Sequence, residues 1–401
     1  MKKIAVVTGA RSEYGLLRWV IDEIHHATEL QLQLIVTGGH LSPEQGLTYR
    51  CIEEDGYDID AKVDMLLSSD CASGIAKSMG MCSIGMSDAF LHLQPDMIVV
   101  LGDRYELLPI VGTALVMRIP IAHISGGDIT EGAIDNEVRN AVTMMSTLHF
   151  PGTQTSAARI GRMIGTMKNV FVVGETNLDN FLRLSLLSRN ELAESLNIDL
   201  GKKWILMTYH PVTKESREKN LFDVNSLLHV LQSLGDDYEI LVSKSNTDLY
   251  GSDINQLLND YVCNKPCFHL FTSLGQKCYV SLLPQLYCMI GNSSSGVYET
   301  GYWKLPTINI GHRQEGRYMT SNIICCDNCS ESIIQSLKKI ETDEFQQMLK
   351  YIDNPYGDGN ASKRIVEQIK MYFTYGAIHA KIHITHISIV MVNRHCKPTR
   401  T

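Results

Sequence analysis

Residues 289–301 read MIGNSSSGVYETG. An apolar run ends in Gly291, a stretch of small residues carries the chain from Asn292 to Gly296, and a helix bearing Glu299 follows. Strand, glycine-serine turn, helix is the repeating unit of a parallel α/β sheet, so this stretch selects the fold class. Small side chains let several backbone N–H groups converge on one point, the hydroxyls add donors, and a helix start adds positive potential. The segment therefore reads as a nest for a diphosphate, with Ser293 and Ser294 as donors, Gly296 giving close approach, and Glu299 one turn on to accept from a ribose diol. A serine-rich helix start without a ligand would carry the same letters, and the surrounding strand, loop and helix context argues for the nest.

The same alternation runs along the chain in both directions. Strand patterns occur at residues 4–8, 32–37, 97–102, 121–125, 148–151 and 170–173, then at 204–209, 238–242, 288–291, 307–310 and 323–325. Helical stretches lie between them, as at 15–25, where Leu16, Leu17, Val20, Ile21 and Ile24 share one face. The expected fold is α/β, with two doubly wound Rossmann-like domains facing a cleft at the carboxyl ends of their strands. The first domain is expected over residues 1–175 and the second over 176–355, joined by the polar stretch 176–197. Residues 361–373 read as a last helix crossing back onto the first domain. The tail, 374–401, alternates Ile with His, Lys, Thr and Ser and has no place in the scheme, so it is expected to be peripheral.

With 401 residues, 44% of them apolar, the chain is long enough for two cores. A net charge of −8 argues against nucleic acid as a partner, because a phosphodiester backbone needs a basic face. Eleven cysteines lack a framework spacing, and the opening MKKIAVVTG runs straight into a strand pattern instead of a signal peptide. No apolar run reaches the ~18–20 residues that span a bilayer. A soluble, reduced, cytoplasmic protein is expected. Cys326 and Cys329 make one CxxC, but Cys263 and Cys267 are spaced differently and do not complete a zinc set.

Chemistry-bearing residues recur at the other strand ends. TGARSEYG (8–15) puts Arg11 just ahead of a helix start that favours an anion, and it lacks the GxGxxG fingerprint of a nicotinamide dinucleotide. GDRYE (102–106) places Asp103, Arg104 and Glu106 at the mouth of the most apolar strand. There, capping by Asp103 with an Arg104–Glu106 pair competes with a catalytic reading. ISGGDITEGAIDNEVRN (124–140) offers Asp128 and Glu131 as acid/base candidates, while Asp135 is expected to cap the helix that carries Arg139. YHPVT (209–213) presents His210 before a proline that stops the ladder. SKSNTD (243–248) supplies Asn246, and GHRQEGR (311–317) brings Arg313 and Arg317.

Taken in order over about residues 1–373, these segments resemble the hydrolysing UDP-N-acetylglucosamine 2-epimerases of the sialic and legionaminic acid branch. The resemblance implies the two-domain glycosyltransferase-B architecture, a homodimer or homotetramer, and a nucleotide-sugar substrate handled without metal or redox cofactor. It also implies the reaction: the nucleoside diphosphate leaves C1 of an N-acetylated hexosamine to give a glycal, and water adds with C2 inverted. Ser293, Ser294, Arg11 and Arg313 would then hold the phosphates, with Arg104, Asn246, Asn292 and Gly296 as further substrate contacts. His210 would stabilise the departing oxygen and Glu299 would take the ribose. Asp103 matches the family's GDR segment, Asp128 stands where many members have Glu in GGE, and Glu131 is the third proton-moving candidate. The GGDxTEG form is similar to the subgroup that acts on 2,4-diacetamido-trideoxy sugars. Asn140 stands where the family commonly has His, so that His's role has no counterpart. A glycosyltransferase of the same architecture, or a non-catalytic nucleotide-sugar sensor, shares the nest and the Glu but needs no acid/base pair at C2.

Overall fold

The structure, a computed structural model, describes residues 1–67, 71–129, 134–212, 214–245, 250–263 and 265–376. Two six-stranded parallel sheets organise these residues. The first contains β1 (Lys2–Thr8), β2 (Leu30–Thr37), β3 (Ala61–Val63), β4 (Met97–Leu101), β5 (Ile121–Ile124) and β6 (Leu148–Phe150) in the order β3-β2-β1-β4-β5-β6. The second contains β7 (Lys203–Thr208), β8 (Tyr238–Ser243), β9 (Phe268–Phe271), β10 (Cys288–Gly291), β11 (Thr307–Ile310) and β12 (Ile323–Cys326) in the order β12-β11-β10-β7-β8-β9. Counted within its own half, each sheet has the 3-2-1-4-5-6 order of a doubly wound fold, which opens a crevice between its first and fourth strands.

Both faces of each sheet are buried, which explains the near-continuous apolar strands. In β4, Met97, Val99 and Leu101 enter one core while Ile98 and Val100 enter the other. In the second sheet Ile205 and Met207 face one core, and Trp204 and Leu206 the opposite one.

Three sequence expectations need correction. Residues 170–173 form no strand beyond an isolated bridge between His149 and Val170. The short strands β3 and β9 were missed because both lie at a sheet edge, where AKV and FHLF are only partly buried and carry no long apolar run. Asp135 does not cap its helix: it is the first residue of Asp135–Met145, behind Ile134, and makes no capping bond.

The two halves are tied at the crossovers. The helix Ala361–Tyr375 packs on the helix Arg11–His25 and puts Ile365, Val366 and Ile369 into the first sheet's core. Each such burial contributes about 1.5–3 kcal/mol. Its opening amides at Ala361 and Ser362 donate to the buried Asp179 carboxylate at 2.9 and 2.8 Å, a cap supplied from 182 and 183 residues upstream. The expected tail lies, from Ala377 onward, outside the described residues. Among the described residues no helix is long and apolar enough to cross a membrane.

Candidate active site

The strand order brings four loops to the crevices: those after β1 and β4 in the first sheet, and after β7 and β10 in the second. At the end of β10 the backbone of Gly291 has φ +137°, and a Cβ there would lie 1.9 Å from the Thr208 carbonyl oxygen. Only glycine lets the nest sit this close to β7. Asn292 is almost fully buried. Its amide accepts from the His210 N–H at 2.7 Å and donates to the His210 carbonyl at 2.8 Å, while its own carbonyl takes Gln314 Nε2 at 2.7 Å and Arg313 Nη1 at 3.2 Å. Its side chain thus holds the His210 loop instead of facing a ligand, and its backbone brings Arg313 to the nest.

Ser293, Ser294 and Ser295 open the helix Ser295–Tyr298, with the Oγ atoms of Ser293 and Ser295 2.8 Å apart. The first amides of a helical turn have no partner within it, so they are available to an anion. The helix is only four residues long, so the nest depends on local N–H and hydroxyl donors more than on the dipole the sequence suggested. Glu299 follows at its end and accepts from Asn177 Nδ2 at 2.9 Å and Tyr279 Oη at 2.6 Å, which leaves further lone pairs on both oxygens. Burial raises its pKa, and the Tyr279 and Asn177 bonds oppose that rise.

A cleft of about 870 Å³ runs between the halves, lined by Arg11, Thr208, Ser273, Tyr279, Ser295 and Glu299 among others. This is a volume suited to a nucleotide. Asp103 and Asp128 are not among its lining residues. Asp128 borders a separate recess of about 50 Å³ with Ser156, Arg159, Tyr298, Arg317 and Tyr356.

Asp103 and Asp128 are brought together by a residue to which the sequence assigned no role. One guanidinium nitrogen of Arg139 bonds Asp103 Oδ2, and the other donates to the Asp128 carbonyl at 2.9 Å. Burial raises the Asp103 pKa, with Arg139 opposing the rise and Asp135 adding to it. Asp128 Oδ1 accepts from Ser156 Oγ. Arg104 is paired with the buried Glu106 at 2.5 Å, the local reading its segment allowed. Glu131 and Asn246 lie outside the described residues.

Sequence reasoning also missed Glu13 and Glu175. Glu13 accepts from the Gly9 N–H at 2.6 Å, and its pKa is pushed up to about 7 by burial. In the sequence it is one more acidic residue in a first helical turn. Glu175 follows a glycine in the linker VVGETN, where nothing local announces burial. Among the described residues no group of three or more His, Cys, Asp or Glu is arranged to hold a metal, and Cys326 and Cys329 belong to no such group.

A family model described as UDP-N-acetylglucosamine 2-epimerase matches residues 22–370. The GDP/UDP-N,N'-diacetylbacillosamine 2-epimerase (hydrolyzing) of Campylobacter jejuni is 39% identical over 348 residues, covering 86% of this chain and 89% of that protein. The UDP-N,N'-diacetylbacillosamine 2-epimerase (hydrolyzing) of Legionella pneumophila is 31% identical over 375 residues, covering 92% and 96%. The crystal structure of UDP-GlcNAc 2-epimerase from Neisseria meningitidis bound to UDP-GlcNAc shares the fold, with a TM-score of 0.77 at 19% identity over 92% of this chain and 100% of that one.

Proposed function

Because this chain belongs to the UDP-N-acetylglucosamine 2-epimerase family, we propose that it is a hydrolysing 2-epimerase of a UDP-linked N-acetylhexosamine in nonulosonic (sialic or legionaminic) acid biosynthesis. UDP-2,4-diacetamido-2,4,6-trideoxyglucose is placed ahead of UDP-N-acetylglucosamine as substrate. The GGDITEG segment and the substrates named for two relatives support that order. The observation that carries the reading is the Arg139 bridge, which sets Asp103 and the Asp128 loop side by side at the carboxyl ends of the first sheet.

The chemistry follows from charge. The proton on C2 of a hexosamine is not acidic until the C1–O bond begins to break and positive character develops at C1. Ser293, Ser294, Arg11 and Arg313 receive the negative charge that moves onto the diphosphate, with His210 beside them and Glu299 on the ribose. The C1–O electron pair departs with UDP while a carboxylate, Asp103 or Asp128 with Glu131 as third candidate, takes the C2 proton, leaving a C1=C2 glycal. Water then adds its hydroxyl to C1, and a proton arrives at C2 on the opposite face. The products are free manno sugar and UDP.

Turnover of a panel of UDP and GDP sugars in deuterated water tests this. The expected products are nucleoside diphosphate and a free sugar with one deuterium at C2; intact donor, or transfer without deuterium, refutes it and points to a sensor or a glycosyltransferase. Asp103→Asn is expected to keep nucleotide affinity and abolish release of UDP. Exposed Met81, Ile84, Leu91, Leu115, Val116 and Met144 cluster on three successively packed helices, 72–93, 107–116 and 135–145, and support a homodimer or homotetramer through this face. Sedimentation of a monomer at micromolar concentration would exclude it.

A further inference from the structure

Glu175 sits where the chain leaves the first sheet, and the surroundings of its side chain are built for it. Ser125, in left-handed backbone geometry at φ +58°, donates its Oγ to Glu175 Oε2 at 3.2 Å. A non-glycine residue in that region is strained, and such strain gathers at functional sites. The other oxygen, Oε1, is buried and has no hydrogen-bond partner among the described residues. A Cβ on Gly152 would lie 1.8 Å from Oε1, so a glycine is needed there to make room for the carboxyl. The backbone N–H of Glu175 donates to the Tyr356 carbonyl at 2.7 Å, which fixes its position where the two crossovers meet.

Among the described residues, the charged groups around Glu175 leave it without an ion pair. From the loop after β5 comes Asp128, like-charged and close enough to disfavour ionisation of Glu175; from the helix 135–145 comes Arg139, already engaged by Asp103 and the Asp128 carbonyl. From the second half come Tyr298 and Tyr356, whose rings pack edge to face with centroids 4.8 Å apart, and Arg317 over the Tyr298 ring at 5.1 Å. Arg364 donates to the adjacent Val173 carbonyl and is paired with Asp358. The imidazoles of β5 and β6, His123 and His149, are kept neutral by burial, with pKa values lowered to about 3 and about 4.

We propose that Glu175 is a positioning residue for the epimerase reaction: a neutral acid behind Asp128 that adds no negative charge to that side of the site, and that switches the site off when it ionises. This rests on the functional reading above. A buried carboxyl with one orphaned oxygen is cheaper to keep protonated, since a proton on Oε1 removes its unmet charge. Burial first, and then Asp128, push its pKa up to about 8. Above that, a second negative charge arrives behind Asp128, beside the carboxylates proposed to act on the sugar.

The test compares the wild-type chain with Glu175→Gln, which keeps the shape and cannot ionise. The wild type is expected to lose kcat/KM about tenfold per pH unit above its alkaline limb. The variant should hold within about threefold of wild type at neutral pH and stay level through that limb, so that it exceeds the wild type by about tenfold one unit above it. Infrared difference spectra should show a protonated carboxyl stretch in the wild type that disappears on raising the pH and is absent from Glu175→Gln. An unchanged alkaline limb in the variant, or no such band in the wild type, overturns the proposal. A merely structural role would lower activity equally at every pH and leave the limb in place. If the wild-type chain turns over no nucleotide sugar, the substrate assignment fails; the infrared band, which needs no substrate, still decides whether Glu175 holds the proton.

Discussion

Removing the fork of Arg139 should separate catalysis from nucleotide binding. Its side chain is 9% exposed and that of Asp103 25%, so the pair is largely but not wholly out of water. Arg139→Lys keeps the charge but cannot reach both Asp103 and the Asp128 carbonyl; losing one charge-assisted bond worth about 1.5–3 kcal/mol corresponds to a fall in kcat of about 10–150-fold. Arg139→Met leaves Asp103 without its cation. Breaking a buried pair costs about 3–5 kcal/mol, and the solvent that reaches Asp103 places this case at the low end. At roughly 2–4 °C per kcal/mol, Tm should drop by about 6–12 °C. The sign of the pH effect follows from the causes acting on Asp103. Burial raises its pKa and Arg139 holds it down, so removing Arg139 raises it further, and the acid limb of kcat/KM moves to higher pH. Stopped assays of UDP release across pH, with UDP affinity measured by calorimetry, check both parts. Affinity should change less than about threefold, because Arg139 is not in the nucleotide cleft. If Arg139→Met keeps kcat within threefold of wild type and its acid limb does not move, Asp103 is not the proton-moving group the bridge implies.

Gly291→Ala puts a Cβ 1.9 Å from the Thr208 carbonyl at a φ that alanine avoids, so the second half should lose cooperative unfolding or fail to bind UDP; normal scanning calorimetry with normal affinity would contradict this. Asp179→Ala strips two amide partners from the helix Ala361–Tyr375 and should cost about 1–2 kcal/mol, read as faster hydrogen exchange confined to that helix and its neighbours. Glu299→Gln replaces an acceptor that serves Tyr279 and Asn177 with a group that is half donor, and UDP affinity should fall about 10–100-fold while uridine-free diphosphate binding changes little.

What the amino-acid order determines by itself is what rests on local patterning. Runs such as Met97–Leu101 and Thr307–Ile310 must be buried on both faces, and glycine or charge at their ends must mark loops, so the α/β class and most candidate residues are legible. Edge strands such as Ala61–Val63 escape because half-exposed segments carry no strong pattern. Partnerships across long separations are decided only in three dimensions. Arg139 looks like one charge on an amphipathic helix until the sheet order brings Asp103 beside it, 36 residues away. Asn292 looks like a ligand of the nest until His210, 82 residues away, takes up its amide. Glu175 becomes chemically distinct only because two crossovers close over it and remove water, and the free energy of a charge depends on that surrounding medium, which no local stretch of sequence encodes.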